Sequence, residues 1–315
     1  MSSLGIDIGG ANLKVASEEG WEVVYFPMWK KAGELEKVLG DIAKKYSARK
    51  AGVVMTAELA DIFRSKEEGV RFIGGICEEV FDEVFFLDVS GRLSKALDNP
   101  SDFAASNWVA SAAFLLQEGY RNFLFVDMGS TTTDIIPVTD RVEAAKTDYE
   151  RLKRGEMIYF GILRTPVFYI LREFDSVPLC PEFFAITADV FAVTGDITSE
   201  EYTCETPDGK GRDEESCLRR LARTVCCDLE ELGVDKAKQV ALEAKKAMKD
   251  WLEKAVEAKA DEYGLRIVFA CGIGEFLIEE ACNEIGIECN RLSSLYGDYS
   301  KLFPAFAMLK LVQNE

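Results

Sequence analysis

The chain has 315 residues, with 37 Lys and Arg against 55 Asp and Glu, a formal net charge of −18 and no histidine. The length fits roughly two domains. The charge argues against nucleic-acid or anionic-membrane partners, and no apolar run approaches the ~20 residues that span a bilayer.

In chain order, residues 4–27 alternate like three short strands, with Glu18-Glu19-Gly20 as a turn. Helical spacing of Leu35, Val38, Leu39 and Ile42 predicts a helix over Glu34–Tyr46. Ala51–Thr56 reads as a buried strand that delivers Thr56 and Glu58 to its end, where ligands sit in sheets of this type; Thr56 equally fits a helix cap. A helix over Val70–Val80, a strand over Glu83–Leu87 and a helix over Phe103–Leu116 follow. Strand and helix alternate, which is the pattern of an α/β domain with a mostly parallel inner sheet. A boundary is expected near Gly119. It gives a first domain of 1–118 plus 299–315 and a second of 119–298.

The second half opens on the stretch that organises the chain. Phe123–Val126 reads as a strand, Asp127 sits at its end, Gly129 and Ser130 turn, and Ile135–Val138 returns. Gly129 allows close backbone approach, and Ser130, Thr131, Thr132 and Thr133 offer hydroxyls and N–H groups to an anion, phosphate above all. Carboxylates beside such a seat, Asp127 and Asp134, call for a hard cation such as Mg²⁺. The same plan occurs at the start of the chain. Asp7 ends a strand, Gly9 and Gly10 turn, Asn12–Ala16 leaves, and Lys14 brings a cation. A third glycine junction, Gly272 and Gly274, joins a strand to a helix in the geometry that holds nucleotides or phosphates.

Beyond the hairpin, Thr147–Pro166 gathers Asp148, Arg151, Arg154, Glu156 and Arg164. Glu200–Asp213 reads as a polar, mobile lid. A helix over Ser216–Leu229 carries Arg219, Arg220 and Arg223, with a surface role as the default for at least one. Asp235–Tyr263 is a long amphipathic helix ended by Gly264. Arg266–Ala270 is a strand, Glu275–Ile285 a helix, and Pro304–Val312 a last helix that returns to the first domain. Nine cysteines without a Cys-x-x-Cys motif read as reduced, cytoplasmic, buried thiols. The absence of histidine removes Ser-His-Asp and His-metal chemistry and leaves proton transfer to Asp, Glu, Lys, Tyr or water. The N-terminus enters a strand at once, so no signal peptide is expected.

Two Asp-x-Gly hairpins and a late strand–Gly-x-Gly–helix resemble the actin-like ATPase superfamily, which includes sugar kinases, Hsp70 and the hydantoinase/oxoprolinase group. This resemblance implies a two-domain α/β fold of ribonuclease H-like type with a cleft between the domains. A narrower set is similar to one archaeal family, the tetrahydromethanopterin-linked one-carbon-pathway proteins that act in methanofuran biosynthesis. It comprises Gly5–Lys14, Ala105-Ser-Asn-Trp108, Asp127–Asp134, Leu152–Glu156, Tyr159–Gly161, Leu163–Pro166, Ala188-Asp-Val190, Asp208–Arg212 and Arg219–Arg223.

That resemblance implies a transferase joining an aminomethylfuran methyl diphosphate to the phenol of γ-glutamyltyramine, with pyrophosphate as the second product. Asp7 and Asp127 would position Mg²⁺, Lys14 would neutralise the leaving oxygen, and Asp134 or Glu156 would take the phenol proton. Gly9, Gly10, Asn12, Asn107, Gly129, Ser130, Thr131, Thr132, Gly272 and Gly274 would contact substrate or phosphate, with Arg154 or Arg164 on the glutamyl group. Small molecules are the expected partners, a homo-oligomer is allowed, and bound ATP would not be consumed. The competing classes are an ATP-dependent kinase or amidohydrolase of the same fold and a non-catalytic actin-like assembly protein.

Overall fold

The computed structural model describes residues 2–313 and 315. Its contacts divide the chain into two compact units. Unit 1 comprises Met1–Phe125, Ile136–Glu156 and Arg291–Glu315, and unit 2 comprises Val126–Ile135 and Met157–Asn290. This division falls differently from a single cut near Gly119, because residues 136–156 group with the first unit. Within that stretch the Arg151 guanidinium lies 4.7 Å above the Trp108 ring.

Unit 1 is built on a six-stranded sheet. Its strands are β1 (Ser2–Ile8), β2 (Asn12–Ser17), β3 (Gly20–Tyr25), β4 (Ala48–Met55), β5 (Glu83–Leu87) and β6 (Leu93–Ser94), in the order β3-β2-β1-β4-β5-β6. The first three pair antiparallel, and β1–β4 and β4–β5 pair parallel. Leu4, Ile6 and Ile8 share one core with Leu35, Leu39 and Ile42 of the helix Leu35–Lys45 and with Val70, Ile73 and Cys77 of the helix Lys66–Val80. Side chains alternate along a strand, so Gly5 and Asp7 face the other way.

On that other face the last helix, Phe303–Gln313, lies against bare backbone. Gly5 and Gly52 are register partners on β1 and β4. A Cβ at Gly5 would stand 1.8 Å from the Ala305 carbonyl oxygen, and one at Gly52 would stand 2.6 Å from Val312 Cγ1. Two adjacent glycines thus make the shallow track on which the helix docks. Phe114 of the helix Asn107–Gln117 adds edge contacts to Phe303 and Phe306 at 5.9 and 5.5 Å.

The remaining strands are β7 (Phe123–Met128), β8 (Thr133–Val138), β9 (Met157–Ile158), β10 (Glu173–Phe174), β11 (Val177–Pro178), β12 (Ile267–Cys271) and β13 (Glu288–Arg291). Five form a second sheet in the order β13-β12-β7-β8-β9. The helix Val234–Tyr263 closes on Gly264 in the left-handed conformation, as its sequence predicts. The helix expected over Ser216–Leu229 is instead two, Glu214–Arg223 and Leu229–Leu232. Asp213 caps the first by accepting from the Ser216 N–H, Asp228 caps the second, and Cys226 at φ +59 reverses the chain between them.

Segment 200–213 is tied down rather than left as a lid. Arg220, fully buried, pairs with Asp189 at 2.7 Å and Asp208 at 3.0 Å. Arg223 also reaches Asp208, and Tyr202 donates to Asp189. Arg219 is the surface member of the three, paired with Glu215 and Glu230.

Four of the nine cysteines are buried, whereas Cys226 is exposed and its Sγ lies 3.0 Å from that of Cys180.

Candidate functional site

The two Asp-x-Gly stretches fold into the same turn. In unit 1 the Gly9 N–H donates to the Asn12 carbonyl at 2.9 Å, and in unit 2 the Gly129 N–H donates to the Thr132 carbonyl at 2.9 Å. The residue between Asp and Gly is anchored alike. The Ile8 carbonyl accepts from the Thr56 N–H at 2.9 Å, and the Met128 carbonyl accepts from the Gly274 N–H at 3.0 Å. Thr56 follows β4, the parallel neighbour of β1, and Gly274 follows β12, the neighbour of β7. Each unit therefore presents an Asp-x-Gly turn beside the loop of an adjacent strand, at the strand ends where free N–H groups collect.

In the unit 1 turn, Asp7 is 2 % exposed. Its Oδ2 lies 3.4 Å from Lys14 Nζ across the β1–β2 pair, and its Oδ1 is buried with no hydrogen-bond partner among the described residues. Burial pushes its carboxyl above the ordinary range, opposed by the Lys14 charge. A carboxylate with one orphaned oxygen suits a further cation. Among the described residues no group of three Cys, Asp or Glu is arranged to hold a metal. A lone buried carboxylate oxygen of this kind is a donor that Mg²⁺ could take together with waters and substrate phosphates. Gly10 has open space beyond its Cα, and Asn12 is half-buried at the start of β2.

In the unit 2 turn, Asp127 and Gly129–Thr132 are half-buried. Two glycines allow the turn to form. A Cβ at Gly161 would stand 2.5 Å from the Thr131 nitrogen. One at Gly272, where φ is +86°, would stand 2.5 Å from Asp127 Oδ1 and 2.4 Å from the Met128 carbonyl. The turn's carbonyls are spoken for, since Ile162 donates to Gly129 and both Leu163 and Arg164 donate to Ser130. The Ser130 and Thr131 hydroxyls lie 3.3 Å apart. Thr133, by contrast, is buried and donates to the Phe160 carbonyl.

The other expected residues are spread over both units. Asp134 is buried on β8 opposite Met157. Arg164 is half-buried beside the unit 2 turn, and its charge acts on the Cys204 thiol. Glu156, in unit 1, is fully buried, and its Oε2 accepts from the Ala145 N–H at 2.7 Å. Arg154 is half-exposed, 3.9 Å from Glu156. Asn107 opens its helix as the first residue after Ser106, and is not the capping residue.

One acidic group gains weight over its place in the sequence. Glu58, two residues beyond Thr56, is 1 % exposed, and its Oε2 has no hydrogen-bond partner among the described residues. Burial pushes its carboxyl up to about 7. The strand-to-loop position of Thr56 and Glu58 is legible in the sequence; the burial of Glu58 is not.

Comparison with known proteins places the chain. The profile of the hydantoinase/oxoprolinase family matches residues 49–310. A Methanocaldococcus jannaschii protein, (4-{4-[2-(gamma-L-glutamylamino)ethyl]phenoxymethyl}furan-2-yl)methanamine synthase, is 41% identical over 99% of this chain and 98% of its own. The Methanococcus vannielii protein of the same name is 37% identical over 65% of this chain and 96% of its own. Among solved structures, a ROK family glucokinase from Streptomyces griseus superposes with a TM-score of 0.53 at 10% identity, covering 100% of both chains. A nucleotide-free acetone carboxylase superposes with a TM-score of 0.55 at 11% identity, over 98% of this chain and 70% of that one. Those two likenesses speak for the fold alone, the two-domain α/β fold of the actin-like ATPases. On the match along its sequence, the chain belongs to the hydantoinase/oxoprolinase family and, within it, to the family of the (4-{4-[2-(gamma-L-glutamylamino)ethyl]phenoxymethyl}furan-2-yl)methanamine synthases.

Proposed function

We propose that the protein is a transferase of methanofuran biosynthesis. It condenses an aminomethylfuran methyl diphosphate with the phenol of γ-glutamyltyramine, forming an aryl ether and releasing pyrophosphate. The observation that carries this reading is 41% identity over 99% of the chain to a synthase whose named product contains that phenoxymethyl-furan ether. The same observation favours it over an ATP-dependent kinase or amidohydrolase of this fold. The reaction acts on small, phosphorylated, water-soluble compounds, so we assign the protein to the cytoplasm. Among the described residues no helix is long and apolar enough to cross a membrane.

The chemistry asked of the protein is departure of a diphosphate and deprotonation of a phenol. Neither needs histidine. Taken unit by unit, the Asp7 turn offers Lys14, backbone N–H groups and an unpartnered carboxylate oxygen for a diphosphate–metal pair. The Asp127 turn offers the hydroxyls of Ser130 and Thr131 and the N–H groups of a turn whose carbonyls are already engaged. Asp7 in its turn and Asp127 in its own would each be able to hold Mg²⁺, which would supply neutralisation of a leaving diphosphate. Lys14 would hold positive charge next to the departing oxygen, and furan resonance would stabilise the methylene cation as the C–O bond lengthens.

The test is incubation with the furan diphosphate, γ-glutamyltyramine and Mg²⁺, following pyrophosphate and ether together. Equimolar ether and pyrophosphate without added ATP is the expected result. ATP-dependent phosphate release with no ether would overturn the reading. Asp7→Asn and Asp127→Asn should each lower the rate at least ~100-fold, the scale of removing one electrostatic stabiliser of a transition state.

A further inference from the structure

We propose that Glu58 is the general base of this transfer, the group that takes the phenol proton of the acceptor, directly or through one water. The inference rests on the transferase reading above and concerns residues of unit 1 alone.

Three segments converge at the end of β4. Thr56 donates from its N–H to Ile8 of the Asp7 turn. Ala104 forms a parallel bridge with Met55, which brings 104–108 alongside. Glu58 lies near this second segment, where the Ala105 backbone helps favour its charged form against the burial that raises it. Ala105 adopts φ +50, a left-handed conformation that a residue with a Cβ occupies only when its surroundings impose it. The strain falls within the segment that lies near Glu58. From the other side, Gly69 of the helix Lys66–Val80 packs on the Glu58 backbone, where a Cβ would stand 2.3 Å from the Glu58 carbonyl oxygen.

The groups facing the carboxylate are Lys66 and Asp148, which shift its titration in opposite directions. They pair with each other at 3.7 Å and are 34% and 29% exposed, so they form the wet side of the cluster. Asp148 in turn accepts from Arg151 at 2.9 Å, and Arg151 covers the Trp108 ring. Glu58 Oε2 and Trp108 Nε1 are both buried without a hydrogen-bond partner among the described residues. The orphaned Glu58 oxygen is an acceptor of the kind to which an incoming hydroxyl can give up its proton.

A base must be ionised at working pH yet basic enough to accept, and burial raises the Glu58 carboxyl to about 7. The phenol proton moves to Glu58, the phenol oxygen forms the new C–O bond to the furan methylene, and the old C–O pair leaves with the diphosphate. The protonated Glu58 then returns its proton to solvent.

The experiment compares wild type with Glu58→Gln and Glu58→Asp, using γ-glutamyltyramine and an analogue whose ring fluorines make the phenol more acidic. The glutamine variant should form ether ~10²–10⁴-fold more slowly, the range for losing a general base. It should lose the acidic limb of the pH–rate profile, and the fluorinated acceptor should recover much of its deficit. The aspartate variant should keep the limb. Ether formation at the wild-type rate in Glu58→Gln overturns the proposal. So does a loss that leaves the pH profile unchanged and is not relieved by the acidic phenol, which is what a purely structural carboxylate gives. If wild type itself makes neither ether nor pyrophosphate, it is the transferase reading that fails.

Discussion

At the scale of single residues, burial sets the chemistry. Glu58 and Asp7 are carboxylates almost closed off from solvent, and in both desolvation is the largest influence on the carboxyl. A stability test follows for Glu58. An acid whose pKa is raised on folding binds more protons folded than unfolded, so stability falls as pH rises from its unfolded value of 4.5 through about 7. That span corresponds to about 3 kcal/mol. Glu58→Gln removes the titration, so urea unfolding should show the variant gaining about 3 kcal/mol on wild type between pH 4 and pH 8. A difference that stays flat with pH would mean that Glu58 is not raised.

At the scale of elements, glycines decide how closely backbones approach. Gly272 combines positive φ with contact on Asp127 and Met128, whereas Gly10 has nothing within reach of a Cβ. Gly272→Ala should therefore destabilise by about 1–3 kcal/mol and disturb the Asp127 turn, while Gly10→Ala should stay within about 0.5 kcal/mol of wild type in the same unfolding assay. Arg220 is the other element-level anchor, since it holds Asp189 on one helix and Asp208 in the Gly-Lys-Gly loop. Arg220→Ala strands the buried Asp189 and should cost about 3–5 kcal/mol. Protease cleavage within 200–213, absent from wild type, should appear in that variant.

At the scale of the whole molecule, the chain's last helix completes the sheet begun by its first strand. Gly5 and Gly52 leave bare backbone on β1 and β4 under the helix Phe303–Gln313, whose Phe303 and Phe306 rings pack on Phe114. Contacts so distant in sequence form late, after the loop entropy has been met. Ending the chain after Leu302 should leave an insoluble protein, or a soluble one that has lost near-ultraviolet circular dichroism. A truncated chain with native spectra would show that unit 1 does not need the helix.

The sequence by itself determined most of the main strands and helices, the two Asp-x-Gly turns, the family and the direction of the functional reading, though not the break between the helices Glu214–Arg223 and Leu229–Leu232. Those features are local: alternation of apolar residues, a glycine at each bend, and a motif that keeps its spacing. The paired 2.9 Å turn bonds of Gly9 and Gly129 are what that repeated spacing builds. Tertiary structure alone decided the burial of Glu58, the assignment of 136–156 to the first unit, and the pinning of 200–213 by Arg220. Each depends on which distant side chain or backbone arrives against a residue, and a polar loop or a lone Glu reads the same in one dimension whether it meets water or Arg220, Ala105 and Gly69.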